Sequence, residues 1–190
     1  FRIFRNLELF VKYLFEKYGM EIIHAKKIET HGGSIRVYAA RKGSFKINKS
    51  VKKILQYEKN YLTWKTFLKF KQNVTNSKLK LYSLLKDLKK KNKKIYGIGA
   101  PSRASTLINY VGLDENIIDC VLEIDGSYKI GNYIPGKKIP IISEKKLYKK
   151  PPDYVILFSW HITSELKKNL KKRGFRGQFI IPLPYPRIEK

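Results

Sequence analysis

A short glycine-containing segment, GIGAPSR at residues 97–103, has the composition of a phosphate-binding loop. It follows an apolar run and precedes a helix-like run, so its free N–H groups would lie at the positive end of a helix dipole. Gly97 and Gly99 would let the backbone approach a ligand closely. Ser102 and Arg103 would donate hydrogen bonds to phosphate oxygens. A tight strand–helix turn without a ligand is the alternative interpretation.

The same segment departs from a dinucleotide-binding fingerprint at one position. Ser102 stands where the third glycine of Gly-x-Gly-x-x-Gly would lie, and that glycine normally allows the helix to pack closely on the strand. The departure disfavours a Rossmann-type dinucleotide site. Pro101 suits the first turn of the predicted helix, where a missing N–H costs little.

Two other segments carry candidate polar groups next to predicted strands. In HGGS, residues 31–34, His31 could act as an acid, a base or a ligand contact, or could be a plain polar turn residue. Arg36 could pair with an anionic partner. Trp160 and His161 follow an apolar run, and no cysteine or second histidine stands near His161 at metal-ligand spacing. We therefore predict no metal site there.

A long loop at residues 128–141, marked by glycines and prolines, supplies two more candidates. Loops at the carboxyl edge of a sheet often carry binding residues, and Lys129 and Tyr133 could reach a ligand at the glycine segment. Glu123 and Asp125 are the carboxylates that the sequence places on this edge. We interpret them as strand-end residues and not as an acid–base pair.

The elements that would position these residues fall into two patterns. Before residue 93, the periodicity predicts a helix, a pair of strands and a long helical region, with Asn76 or Ser77 as the N-cap of a second helix. After residue 93, apolar strands alternate with helices. The predicted strands are 20–28, 34–42, 94–100, 117–125, 153–160 and 177–184; the predicted helices are 5–18, 48–91, 102–112 and 162–174.

The second pattern is typical of an α/β domain. Its strands are apolar throughout, as strands covered on both faces must be, and the alternation predicts a small parallel sheet with right-handed crossovers. Such sheets bind ligands at the carboxyl ends of the strands, near a switch in strand order. The segments 99–103, 125–133 and 160–161 therefore converge on one edge, and this convergence favours a binding site.

Composition narrows the class of protein. The chain has 190 residues, is 43% hydrophobic and carries a net charge of +26; its length suits one domain, or one domain and part of another. The charge would attract nucleic acid or a diphosphate, but no aromatic-basic platform indicates specific nucleic-acid binding. The single cysteine, Cys120, lies in an apolar run, which predicts a core thiol in a cytoplasmic protein. No apolar run is long enough to span a membrane.

Five motifs together resemble the C-terminal part of the nucleotide-sugar C-methyltransferases, S-adenosylmethionine-dependent enzymes that act on deoxysugars carried on a nucleoside diphosphate. They occur in the order of the family and cover nearly the whole chain. The motifs are HGGSIRVYAAR, YGIGAPSRASTLINYVGL, YKIGNYIPGKKIPI, DYVILFSWHITSEL and GQFIIPLP. The resemblance implies a Rossmann-like C-terminal domain with a mainly parallel sheet.

The resemblance also implies a division of the chain. Residues 1–46 would be the closing helix and strand pair of the methyl-donor-binding domain, 47–92 a helical connector, and 93–190 the nucleotide-sugar-binding domain. The chain has no initiator methionine, and the family's zinc-binding domain, methyl-donor loop and Tyr-His-Glu-His stretch would precede Phe1. We therefore expect a fragment that is inactive alone, whose parent protein uses S-adenosylmethionine and zinc. Its expected partner is a nucleoside-diphosphate sugar, not a membrane.

For this chain we predict no catalytic residue and no metal ligand. Arg103 and His161 stand where the family often has lysine and asparagine, and these departures leave the base and the sugar open. A stand-alone nucleotide-binding module and a basic nucleic-acid-binding domain are the alternative functions. The predicted substrate-binding residues are His31, Gly32, Gly33, Ser34, Arg36, Gly97, Gly99, Ala100, Pro101, Ser102, Arg103, Lys129, Tyr133, Trp160 and His161.

Overall fold

The computed structural model describes residues 7–29 and 33–190, with the side chains of residues 7–9 left aside. It divides into two compact units, one up to Gln72 and the other from Asn73 to Lys190. The three-part division at 1–46, 47–92 and 93–190 stays a prediction. Among the described residues, no helix is both long enough and apolar enough to cross a bilayer.

The first unit is built on an antiparallel strand pair. A π-helical turn, Leu7–Lys12, leads into α1, Tyr13–Lys17; then come β1, Met20–Ile28, and β2, Ser34–Arg41. The two strands pair from Met20 opposite Arg41 to Ile28 opposite Ser34, with an irregularity between Ile22 and His24. Helix α2, Lys49–Tyr61, begins where the Asn48 side chain accepts a hydrogen bond from the Ser50 amide. Its residues Val51 and Ile54 pack with Ile22 and Ala25.

The break in the helical region lies elsewhere than the sequence predicts. Helix α2 ends at Tyr61 and α3 runs unbroken from Trp64 to Lys90, so the N-cap prediction at Asn76 or Ser77 is wrong. Thr63 marks the actual start, since its Oγ1 accepts a hydrogen bond from the Thr66 amide at 3.3 Å. The buried Ser77 hydroxyl instead donates to the carbonyl of Pro184 at 3.2 Å. This distant partner satisfies a polar group that otherwise competes for the local backbone.

The second unit contains a six-stranded sheet with the order β5-β4-β3-β6-β7-β8. The first five of these strands run parallel, and β8 pairs antiparallel with β7. The strands are β3, Ile95–Ile98; β4, Cys120–Glu123; β5, Ile141–Ser143; β6, Tyr154–Leu157; β7, Gln178–Ile181; and β8, Arg187–Glu189. This is the strand order of a doubly wound nucleotide-binding sheet, and the prediction of a Rossmann-like, mainly parallel α/β domain is confirmed. The sequence did not reveal β5 and β8, which are only three residues long.

Helices cover both faces of this sheet. Helix α3 and helix α4, Ser102–Val111, pack on one face through residues such as Leu85 and Ile108. Helix α5, Lys146–Lys149, and helix α6, Thr163–Lys172, cover the other face through Leu147 and Leu170. Because successive side chains of a strand point to opposite faces, strands covered on both sides must be apolar throughout, as the sequence indicates.

Cys120 lies on the second of these faces and is fully buried. Burial raises the pKa of its thiol to about 11, although the Lys146 cation acts in the opposite direction. The interpretation of Cys120 as a core residue is confirmed.

Acidic residues form hydrogen bonds at the amino ends of the central strands. Asp153 accepts a hydrogen bond from the Lys94 amide at 2.9 Å and one from the Lys93 amino group at 3.0 Å. These contacts, with the Lys94 amide first, hold the pKa of Asp153 below its ordinary value. Asp119 similarly accepts from the Ile95 amide at 2.9 Å. Strands β3, β4 and β6 are thus held in register at the edge opposite the candidate site.

Candidate functional site

The candidate site lies where the chain reverses its direction of growth across the sheet. From β3 the chain adds β4 and β5 on one side, then returns to add β6 on the other side of β3. In open α/β sheets of this strand order, the loops at the switch point diverge, and the crevice between them at the carboxyl edge is the usual ligand position. Here these are the loops that follow β3 and β6. Two main-chain hydrogen bonds hold this edge together: Gly99 donates to Leu122 and Phe158 donates to Ile98.

The two glycines of the loop serve different purposes. At Gly97, inside β3, an added Cβ would lie 2.4 Å from Cε2 of Phe158, so the core ring occupies the space of a side chain. Gly97 is therefore explained by core packing rather than by approach to a ligand. Gly99 has φ +80°, a conformation that favours glycine. An added Cβ there would make only ordinary contacts, the nearest being Ser159 Oγ at 3.6 Å.

Helix α4 begins at Ser102, as the sequence predicts, but Pro101 has a different position from the predicted one. Pro101 is the N-cap, with φ −69° and ψ 159°, and not a residue of the first turn. The Ala104 amide donates to the Pro101 carbonyl and closes that turn. Within residues 7–29 and 33–190, the amides of Ser102 and Arg103 have no hydrogen-bond acceptor. Both amides lie at the positive end of the α4 dipole.

Arg103 and His161 bring the two loops of the crevice together. Nη1 of Arg103 lies 3.1 Å from Nδ1 of His161. A guanidinium has donors only, so His161 Nδ1 accepts in this contact. The Arg103 guanidinium also lies 5.8 Å from the centre of the Trp160 ring, and Thr163 Oγ1 donates to the Trp160 carbonyl at 2.7 Å. The structure thus brings Arg103, Trp160 and His161 together.

Lys129 joins the site from the side of β4. Its Nζ donates to the Ala100 carbonyl at 2.9 Å. Glu123, the last residue of β4, accepts from the Ala100 amide at 2.8 Å and lies 4.0 Å from Lys129 Nζ. Glu123 is a strand-end residue, as the sequence indicates, but its hydrogen bond to Ala100 was not predicted. An available signal was its position about 20 residues beyond the glycine loop, where nucleotide-binding sheets carry an acidic residue.

Tyr133 is not joined to this group. Its backbone forms an antiparallel bridge with Pro140, and its side chain is 60% exposed. In the described part of the chain, no hydrogen bond links Tyr133 to Ala100 or Arg103.

The HGGS candidates belong to the first unit. Ser34 and Arg36 lie in β2, and the Gly33 amide donates to the Glu29 carbonyl. His31 and Gly32 lie outside the described residues. Their proposed contact with a substrate stays a prediction.

The site's carboxylates serve to hold loops. The Ser143 hydroxyl, followed by the Lys145 amino group, keeps the pKa of Asp125 below its ordinary value, so this carboxylate stays ionised. Among the described residues, no group of three histidine, cysteine or acidic side chains could hold a metal ion. The available groups of the crevice are instead donors: two amides, the Ser102 hydroxyl and the Arg103 guanidinium. Such a set suits an anion.

These features define a Rossmann-like α/β domain with a donor-rich crevice at its switch point. Residues 29–184 match the model of the C-methyltransferase C-terminal domain family, and the chain belongs to that family. It is 29% identical over 181 residues to C-methyltransferase NovU of Streptomyces niveus. The matched region covers 92% of this chain and 42% of that protein. The chain thus spans less than half the length of this relative.

Proposed function

We propose that this chain is the nucleotide-sugar-binding part of an S-adenosylmethionine-dependent C-methyltransferase. The observation that supports this proposal is that the Arg103 guanidinium and the amides of Ser102 and Arg103 lie together at the switch point. These groups would bind the diphosphate of a nucleoside-diphosphate deoxysugar. The net charge of +26 would favour the encounter with such an anion.

In this proposal, segments outside this chain would carry out the proton abstraction and the methyl transfer. In the proposed reaction, a base removes a proton from a sugar carbon beside a keto group, and the resulting carbanion takes the methyl group of the sulfonium, releasing S-adenosylhomocysteine. The parent protein would supply the base, the methyl-donor site and a zinc-binding domain. The 190-residue chain would bind and orient the substrate. We expect no methyl transfer from this chain alone.

Calorimetric titration with thymidine diphosphate tests the binding role. We expect saturable one-to-one binding, and Arg103→Ala should weaken it about 10- to 100-fold, since a hydrogen bond between charged groups is removed. Arg176→Ala is the matched control because Arg176 is an exposed arginine next to β7 at the opposite edge of the sheet. Absence of binding to the unaltered chain would overturn the proposal, as would equal effects of the two substitutions.

The titration also separates the alternatives. A nucleic-acid-binding domain would bind long RNA or DNA with an affinity that falls steeply with salt, without preference for thymidine diphosphate. A stand-alone nucleotide-binding module would bind the nucleotide equally well, but a longer gene product carrying the Tyr-His-Glu-His stretch would exclude it. Methyl transfer to a nucleoside-diphosphate sugar by that longer product would support the proposed methyltransferase function.

A further inference from the structure

Both backbone polar atoms of Ala100 are held by side chains from the β4 side of the sheet. Glu123 Oε2 accepts from the Ala100 amide at 2.8 Å, and Lys129 Nζ donates to the Ala100 carbonyl at 2.9 Å. The two side chains are 4.0 Å apart and only 13% and 32% exposed, respectively. We call this arrangement the Ala100 bridge.

A dinucleotide needs two features of this region to be available. Its pyrophosphate lies against the amides of the glycine loop, and the ribose of its adenosine half hydrogen-bonds an acidic residue at the end of the second strand. In the present strand order that second strand is β4, and its last residue is Glu123. Spacing alone would therefore assign Glu123 to a ribose.

The loop amides, however, are already used. The Gly99 amide donates to Leu122, the Ala100 amide donates to Glu123, and Pro101 has no N–H. The first amides left for a phosphate are those of Ser102 and Arg103. A bound diphosphate would therefore lie over the first turn of α4, on the side of Arg103 and His161, and not in the glycine loop.

The Glu123 carboxylate is equally engaged. Oε2 holds the Ala100 amide, and Oε1 accepts from the Ile124 amide at 3.2 Å. A ribose hydroxyl would have to displace these donors in a largely buried position, and an unpaired buried donor is costly. The same negative charge would repel a phosphate placed directly over the loop.

We propose that Glu123 and Lys129 are specificity-determining residues of this site. By closing the Ala100 bridge, they withhold the loop amide from phosphate and the carboxylate from ribose. The site therefore takes a single nucleoside diphosphate at Ser102 and Arg103 and rejects nicotinamide and flavin dinucleotides. This inference rests on the proposed nucleotide-binding function.

Amide hydrogen exchange of the full 190-residue chain, followed by ¹⁵N NMR with and without thymidine diphosphate, tests the placement of the phosphates. We expect the ligand to slow exchange at Ser102 and Arg103 and to leave the already bonded Ala100 amide unchanged. In the Glu123→Ala variant, the ligand should also slow hydrogen exchange of the Ala100 amide. Glu123→Gln, which retains an acceptor oxygen, should keep the Ala100 amide bonded and without ligand protection. Ligand protection of Ala100 in this variant would contradict the role of that hydrogen bond, and this test remains if Glu123→Ala does not fold.

Titration with NAD⁺ tests the selectivity. We expect NAD⁺ to bind at least about 100-fold more weakly than thymidine diphosphate, and we expect this ratio to fall in Lys129→Met, where the Ala100 carbonyl and Glu123 lose their cation. Ligand protection of Ala100 in the unaltered chain, or NAD⁺ affinity within tenfold of thymidine diphosphate, would overturn the inference while leaving the nucleotide site intact. No response at any amide from Gly99 to Arg103 would overturn the proposed function itself.

Discussion

Nη1 of Arg103 lies 3.1 Å from Nδ1 of His161, and this contact joins the loops that follow β3 and β6. The two residues are 58 positions apart. Their meeting results from the strand order, which places β3 and β6 side by side at the switch point. The contact holds the Arg103 guanidinium beside the other hydrogen-bond donors of the candidate site.

This contact should contribute little to folding. A partly exposed hydrogen bond contributes about 1 kcal/mol or less to the free energy of unfolding, so Arg103→Ala should change that free energy by no more than this amount. Urea unfolding followed by fluorescence measures it. A loss above about 2 kcal/mol would mean that Arg103 supports the fold, and then its effect on nucleotide binding would not report a direct contact.

Gly97→Ala should destabilise the second unit. The added methyl carbon would lie 2.4 Å from Phe158 Cε2 and 2.9 Å from Val121 Cγ2, and such overpacking typically costs about 1–3 kcal/mol. Phe158→Leu, destabilising alone through lost packing, should cost less when Gly97→Ala is present, because the clash is removed. A double-mutant cycle by urea unfolding measures the coupling. Additive effects of the two substitutions would show that the ring does not limit residue 97.

Asp153 should make stability depend on pH in the acid range. Its folded-state pKa is lowered, with the Lys94 amide as the first cause. A lowered pKa stabilises the fold above the ordinary aspartate value of about 4, and this contribution is lost as the pH falls through the folded-state pKa. Since the side chain is 37% exposed, the contribution is about 1 kcal/mol.

Asp153→Asn should therefore lower the free energy of unfolding at pH 7, with the difference from the unaltered chain narrowing as the pH falls below 4. Asp87→Asn is the control, since among the described residues the interaction of Asp87 is an exposed pair with Lys90 at 3.8 Å. Its effect at pH 7 should stay within about 0.5 kcal/mol. Equal effects of the two substitutions across the pH range would refute a special role for Asp153.

Cys120 should be inert in the folded protein. The thiol is fully buried and burial raises its pKa to about 11, so the reactive thiolate is scarce at pH 8. Labelling by iodoacetamide should be slow without denaturant and complete in 6 M guanidinium chloride, an amount of denaturant well above most unfolding midpoints. Mass spectrometry measures the labelled fraction. Rapid labelling of the folded chain would contradict the burial of Cys120.

The class of fold and the edge that carries the candidate site could be predicted from the sequence. Both depend on local regularities: apolar strands alternate with helices, and right-handed crossovers place the carboxyl ends of parallel strands on one edge. The glycine loop, Lys129, Trp160 and His161 could be assigned to that edge because each follows a predicted strand. The family motifs were recognisable for the same reason, since they are contiguous segments of the chain.

Only the tertiary structure decided what several of these residues contact. Gly97 faces Phe158, the Ser77 hydroxyl reaches Pro184 across 107 positions, and Glu123 holds the Ala100 amide. From the sequence, Glu123 was interpreted as a strand-end residue and Ser77 as a candidate helix cap. The reason is physical: hydrogen bonding and close packing depend on which atoms lie within a few ångströms, and those neighbours come from segments that the fold alone brings together.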